Sequence, residues 1–407
     1  MLSCKKNRAR RFACMLLSVM LLACTFASPV WANETASIYP PQYAVEDYWY
    51  DDSLPAAVFG GDFDVGSMLL MEYSTGKVLY AMNENDKVPI ASVTKVMSAL
   101  LILEALDSGR ISLNDTVTVS ENAASMGGSQ VYLEPFEQMS VEDLLKSMVV
   151  SSANDATVAL AEHISGSVES FVTQMNERAA QLGMANTHFV NTTGLDAEGH
   201  YSSAYDVALM TRELMHHSLI FNYSTIWMDT IRNGAFGLAN TNKLIRFYPG
   251  ATGMKTGYTS SAGFCVSATA QRDGMQVIAV VLDGSTSDER FSAAKKMMDF
   301  AFANYSIIKP ERCELEPLSV KRGTSENVAL TYEPPSILTE KGSPEVSVKF
   351  ELAESVEAPV TKGTQVGIAR YSINGQEVAT APVTVADDCE RMDFITMLWR
   401  ILCSFPF

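Results

Sequence analysis

The chain has 407 residues, 47% hydrophobic and 19% charged, with a formal net charge of −17. That length accommodates two domains, since a single domain usually holds roughly 100–200 residues, and the composition excludes a fibrous or low-complexity chain. The acidic balance argues against nucleic acid as a partner.

The one dense basic run, Lys5, Lys6, Arg8, Arg10 and Arg11, is followed at once by the apolar stretch Phe12–Phe26. That order predicts a secretory signal peptide over residues 1–32, with cleavage after Val30-Trp31-Ala32. Leu21-Leu22-Ala23-Cys24 offers lipidation at Cys24 as a competing event. Residues 33–60 form an acidic, aromatic leader with neither helical nor strand period. The seven cysteines show no CxxC spacing, which points away from a disulfide scaffold or a zinc site. Cys265, in an apolar run, reads as a small buried hydrophobe.

From Gly66 the pattern becomes regular. Runs at 67–73 and 77–80 flank Ser74-Thr75-Gly76 and predict a hairpin. A helix is expected from Ser92 to Asp107, with Pro89 before it, Gly109 after it and apolar residues at Val96, Leu100, Leu103 and Leu106. Ser140-Val141-Glu142-Asp143 resembles a capping box, and helical periods continue through 157–164, 168–182 and 203–216. Two apolar runs, 264–269 and 275–282, are joined by Arg272-Asp273-Gly274 as a second hairpin, and Ser292–Tyr305 closes the region as a helix. Strands at both ends with helices between imply an α+β domain over 61–305, its antiparallel sheet assembled from distant segments.

After Pro310 the chain turns to short alternating runs with a strong hairpin signal at Asn374-Gly375, a small all-β domain over 308–386. Residues 390–407 place Phe394, Ile395, Leu398, Trp399, Ile401, Leu402 and Phe405 opposite Asp393, Thr396, Arg400 and Ser404 on a helical wheel. The segment is too short to span a bilayer, so it is expected to lie in the membrane interface, or else to dock on the protein's own core.

Three short motifs carry the chemistry: Ser92-Val93-Thr94-Lys95, Ser152-Ala153-Asn154 and Lys255-Thr256-Gly257. Each alone is weak, and Ser292-Ala293-Ala294-Lys295, Ser325-Glu326-Asn327 and Ser372-Ile373-Asn374 show how easily they recur. Context separates them. Ser92 opens an apolar helix whose N-terminal N–H groups favour an anion, and Lys95 lies on the same face one turn on. A lysine buried there can lose its charge and take the serine proton. Ser152 and Asn154 sit at a break between helices, where they could relay a proton and hold an amide, or simply cap a helix. Lys255 and Thr256 offer a cation and a hydroxyl for a carboxylate on an edge strand beside Ser92, and Gly257 lets a substrate backbone approach.

In these motifs, and in Pro89–Lys95, Ser151–Ala156, Asn186–Leu195, Asn240–Leu244 and Gly253–Thr259, the chain resembles the serine D-alanyl-D-alanine carboxypeptidases, low-molecular-mass penicillin-binding proteins of peptidase family S11. The resemblance implies the penicillin-binding/β-lactamase-like fold, an antiparallel sheet with helices on both faces. It implies hydrolysis of the terminal D-alanine from peptidoglycan stem peptides through an acyl-enzyme, acylation by β-lactams, and no cofactor. Ser92 is then the nucleophile, Lys95 its base and Ser152 the proton shuttle; Asn154 contacts the peptide, Lys255 and Thr256 its carboxylate, and the N–H groups of Ser92 and Tyr258 form the oxyanion hole. It places the protein on the outer face of a bacterial cytoplasmic membrane. A class A β-lactamase shares the motifs, but no Glu-x-x-x-Asn stands between Asn154 and Lys255. A catalytically weak stem-peptide binder is the other alternative. The five histidines form no triad pattern with a Gly-x-Ser-x-Gly, which is absent.

Overall fold

A computed structural model describes residues 59–396, apart from 344, together with 398. The expected signal peptide, nearly all of the leader and most of the tail lie outside the described residues. Five strands form an antiparallel sheet: β1 (Val65–Glu72), β2 (Val78–Met82), β3 (Ala251–Thr259), β4 (Gly263–Arg272) and β5 (Met275–Gly284), in spatial order β2-β1-β5-β4-β3. Strand side chains alternate between faces, and here both faces are apolar. Leu69, Met71, Ile278 and Val280 enter one core, while Met68, Leu70, Val277 and Ala279 enter the other. Both must be covered, which is why these strands read as continuous rather than alternating hydrophobic runs.

Helices supply the cover. Between β2 and β3 lie α1 (Lys95–Asp107), α2 (Val141–Val150), α3 (Asn154–Ser165), α4 (Val168–Gln181) and α5 (Ala204–His216), which build the first core; α6 (Ser287–Asn304) packs Phe291, Ala294, Met297 and Met298 into the second. The hydroxyl of Ser140 accepts a hydrogen bond from the N–H of Asp143 (3.1 Å), capping α2 as its sequence suggested. The turn between β4 and β5 uses Asp273 and Gly274, both at positive φ, the geometry that the Asp-Gly pair favours.

Two helix starts differ from expectation. The chain enters α1 through a 3-10 turn, Ala91–Thr94, so the α-helix proper begins at Lys95. Every residue from Lys95 to Ala105 is buried, because neighbouring helices enclose α1 instead of leaving it one wet face. The final helix, expected from Ser292, begins at Ser287: Thr286 accepts from Glu289 N (3.1 Å), and Asp288 and Glu289 occupy the electropositive first turn.

Beyond α6, Tyr305–Ile308 pairs with Ile337–Glu340. A four-stranded sheet (Leu330–Thr331, Gln376–Val385, Gln365–Ile373, Ser347–Leu352) and a three-stranded one (Asn327–Val328, Leu318–Lys321, Val356–Glu357) then enclose a third core that contains Val320, Ala369, Tyr371 and Val383. Asn374-Gly375 makes the hairpin turn between its two longest strands.

One turn carries a testable strain. Glu137 N donates to Glu134 O (3.1 Å), with Pro135 leading into Phe136 at φ 67°. Such a turn wants glycine at its third position, and Phe136 is 69% exposed, so its ring returns little packing. Phe136→Gly is expected to raise the urea unfolding midpoint. The relieved left-handed strain exceeds the added chain entropy, for a net gain of up to about 1 kcal/mol.

Candidate active site

Ser92 lies in the 3-10 turn, and Lys95 Nζ stands 2.9 Å from its Oγ. The same nitrogen is 2.6 Å from Asn154 Oδ1 and 2.8 Å from the carbonyl oxygen of Thr193. Lys95 is 1% exposed, and burial, helped by the nearby charge of Lys255 and opposed by Asp155, holds its pKa well below the usual lysine value. A neutral amine has two N–H donors and one lone pair. Two of the neighbours can only accept, so the lone pair is left for the Ser92 hydroxyl proton.

Ser152 and Asn154 occupy the break between α2 and α3, as expected. Ser152 is buried at φ 62°, and its Oγ finds no hydrogen-bond partner among the described residues. A buried hydroxyl without a partner is uncommon in a folded protein and suits a group reserved for substrate. Asn154 is more committed than the sequence suggested, with Nδ2 donating to the carbonyl of Gly127 (2.6 Å) and Oδ1 facing Lys95. One amide N–H and one lone pair remain for a ligand.

The edge strand β3 runs past the Ser92 turn. A β-carbon on Gly257 would lie 2.8 Å from Ile90 O and 2.9 Å from Ser92 N, so only glycine allows the strand this close. The hydroxyl of Thr256 donates to Thr241 Oγ1 (2.7 Å), and Lys255 Nζ to the carbonyl of Thr256 (2.9 Å). Tyr258 projects at the rim, 57% exposed, its ring stacked on Phe264. The structure thus joins Ser92, Lys95 and Asn154 through hydrogen bonds, with Ser152 two residues before Asn154, and runs the strand that carries Lys255, Thr256, Gly257 and Tyr258 against the Ser92 turn.

Sequence reasoning passed over several supporting groups. Buried Arg290 of α6 donates from Nη1 to the carbonyls of Gly257 (2.8 Å) and Cys265 (3.0 Å), bracing β3 from behind. His200 is buried and held neutral, its pKa pushed down to about 4 by desolvation. Its Nδ1 accepts from Val190 N (3.0 Å), so its proton is on Nε2, facing Thr94 Oγ1 (2.7 Å) and tying the 3-10 turn to a distant loop. Cys265 is a buried thiol raised to about 12 by desolvation, inert as expected.

Burial, and then Arg290, lowers the Lys255 pKa from 10.5 to about 7. Between those values the unfolded chain binds the extra proton, so stability is poorest below pH 7 and rises with pH. Lys95 acts in the same sense, while Cys265 opposes it only above its ordinary value of 9.0. Urea midpoints should therefore climb from about pH 7 to pH 9, and less steeply in Lys255→Met. A flat or falling profile across that interval would contradict a buried, proton-releasing lysine.

The profile of the D-alanyl-D-alanine carboxypeptidase family matches residues 55–286, and that of the penicillin-binding protein 5 C-terminal domain matches residues 311–391. The D-alanyl-D-alanine carboxypeptidase DacF of Bacillus subtilis is 45% identical over 344 residues, 83% of this chain and 88% of its own. Penicillin-binding protein 5 of Haemophilus influenzae superposes with a TM-score of 0.72 at 32% identity, covering 82% of this chain and 100% of that one. Penicillin-binding protein D2 of Listeria monocytogenes, solved with ampicillin bound, gives a TM-score of 0.55 at 32% identity over 60% of this chain and 99% of its own.

Proposed function

From the premise that the chain belongs to the D-alanyl-D-alanine carboxypeptidase family, we propose how its residues divide the removal of a terminal D-alanine from a peptidoglycan stem peptide. Lys95, neutral, takes the proton from Ser92 Oγ as that oxygen bonds to the carbonyl carbon of the penultimate D-alanine. Negative charge develops on the carbonyl oxygen, where the N–H groups of Ser92 and Tyr258 receive it. The C–N bond then breaks, and the departing amine gains a proton through Ser152 from the lysine ammonium. Thr256 and the Lys255 cation meet the carboxylate of the leaving residue. Water gives a proton to Lys95 as it attacks the ester, and that proton passes to Ser92 Oγ as the acyl–oxygen bond breaks and frees the serine.

The single observation that carries this reading is the contact of buried Lys95 with Ser92, beside two acceptors that suit a neutral amine. Signal-less protein incubated with a pentapeptide stem should release one D-alanine per stem. With benzylpenicillin, mass spectrometry should find the whole antibiotic mass added on Ser92. A stem peptide left intact, or an adduct elsewhere, would end the proposal.

Export and attachment belong to the same reading: the protein works on the outer face of the cytoplasmic membrane, with residues 390–407 at the lipid interface. Phe394, Ile395 and Leu398 of that segment are exposed, and such a group of apolar side chains suits a lipid interface. Among the described residues no helix is long and apolar enough to cross a membrane. Truncation before Glu390 should shift the protein from the membrane fraction to the soluble fraction with its penicillin acylation rate unchanged. Retention in the membrane fraction would point to an anchor elsewhere, Cys24 lipidation first.

A further inference from the structure

A loop leaves the cleft at Asn154 and is clamped with unusual thoroughness. Asn154 donates to the carbonyls of Gly127 (2.6 Å, from Nδ2) and Ser129 (2.7 Å, from the backbone N–H). The next residue, Asp155, has a fully buried carboxylate that accepts from the N–H groups of Val131 and Leu133, both at 3.0 Å. From the other side Arg232 donates to the carbonyls of Val131 (2.8 Å) and Tyr132 (3.1 Å), and it is itself held by Glu137 (2.7 Å). The peptide unit after Tyr132 is thus held from two sides, by Arg232 and Asp155, and the one before it by Arg232.

The residue held in this way gains nothing visible for stability. Tyr132 is 67% exposed and sits at φ 56°, a left-handed conformation costing a side-chain-bearing residue roughly 1–2 kcal/mol. Strain of this kind persists where surroundings over-determine it, and it concentrates at ligand sites. Beside it, 6.2 Å between centroids, stands the half-buried ring of Phe236, from the hairpin formed by Met228–Ile231 and Phe236–Ala239. Arg232, at the tip of that hairpin, lies over the Phe236 ring as it grips the loop. Two aromatic side chains from separate elements are therefore presented together on the lip continuous with Asn154.

The geometry points to a subsite in which Tyr132 and Phe236 hold the aliphatic part of the stem peptide on the N-terminal side of the scissile bond. This deepens the carboxypeptidase reading and rests on it. With the leaving residue directed toward Lys255 and Thr256, the acyl portion of the substrate exits past Asn154, where the lip begins. Arg232 is already paired with Glu137, so the lip offers apolar ring surface with a phenolic tip rather than a free cation. That surface suits a linear aliphatic side chain with a polar end. Short acyl-D-Ala-D-Ala analogues and benzylpenicillin lack that long aliphatic side chain.

The test compares wild type, Tyr132→Gly and Phe236→Ala on a pentapeptide stem, on a minimal acyl-D-Ala-D-Ala and on benzylpenicillin. Glycine accepts the positive φ, so the first variant keeps the loop's backbone, which an unchanged or higher urea midpoint would verify. Each variant should raise KM for the pentapeptide about tenfold, the effect of roughly 1.4 kcal/mol of lost contact, at nearly constant kcat. The minimal substrate and the penicillin acylation rate should stay within twofold of wild type. Equal losses on all three reactants would make the rings merely structural, and an unchanged pentapeptide KM would remove the subsite. Should wild type release no D-alanine from either substrate, the carboxypeptidase reading itself fails and takes the subsite with it.

Discussion

Lys95→Arg should reduce acylation by benzylpenicillin and release of D-alanine by about 10³-fold or more, the scale of losing a general base, although the positive charge is kept. If Lys95 served only to attract an anion, arginine would do nearly as well. The site argues otherwise. Nζ lies within 2.9 Å of Ser92 Oγ, Asn154 Oδ1 and Thr193 O, and burial drives its pKa well down. A guanidinium cannot give up its proton in a protein, so it has no lone pair for the serine hydrogen. Because arginine is also larger in a fully enclosed position, Lys95→Gln is the companion variant: it too lacks a base, with less strain, and should lose activity to a similar extent. Stopped-flow acylation rates and urea midpoints on both variants separate loss of chemistry from loss of fold. Acylation within tenfold of wild type in either would refute Lys95 as the base.

Local relations were the readable part of this site. Ser92 and Lys95 are one turn apart, so their meeting follows from helical geometry alone, and the break at Ser152 is marked by its neighbours. The edge position of Lys255 could be read from the apolar runs that follow it. What escaped are contacts across long sequence separation. The carbonyl of Thr193 reaches Lys95, and His200 reaches Thr94, through loops with no periodicity to announce them. Arg290 was missed for a narrower reason: with the last helix expected from Ser292, the arginine fell outside it, whereas the Thr286 cap carries the helix back and turns Arg290 onto β3. The α1 stripe was also drawn too narrow, since periodicity describes a helix with one wet face and α1 has none.

The sharpest test of how the fold holds the nucleophile lies 102 positions along the chain from it, at Gly194. Its φ is 83°, and a β-carbon there would stand 1.8 Å from Ala91 O and 2.9 Å from Ser92 N, backbone atoms that no rotamer change can move aside. Gly257 also closes on the same turn, so two residues that must both be glycine press on the backbone of Ser92. Nor can the 194 loop yield freely, because Asn191 Oδ1 accepts from the N–H groups of Thr193 (3.1 Å) and Gly194 (2.7 Å). Gly194→Ala therefore combines left-handed strain with overpacking, a loss of about 3 kcal/mol. It also displaces the Thr193 carbonyl that orients Lys95. Misplacement of reacting groups by about 1 Å can lower kcat/KM about 100-fold, and that is the loss expected here. Gly166→Ala is the control: φ is 77° at the end of α3, with nothing within 4 Å of the added carbon. It should cost about 1 kcal/mol of stability and leave kcat/KM intact. If the two variants behaved alike in both measurements, the grip on the Ser92 turn would not govern the chemistry, and the nucleophile would owe its position to α1 alone.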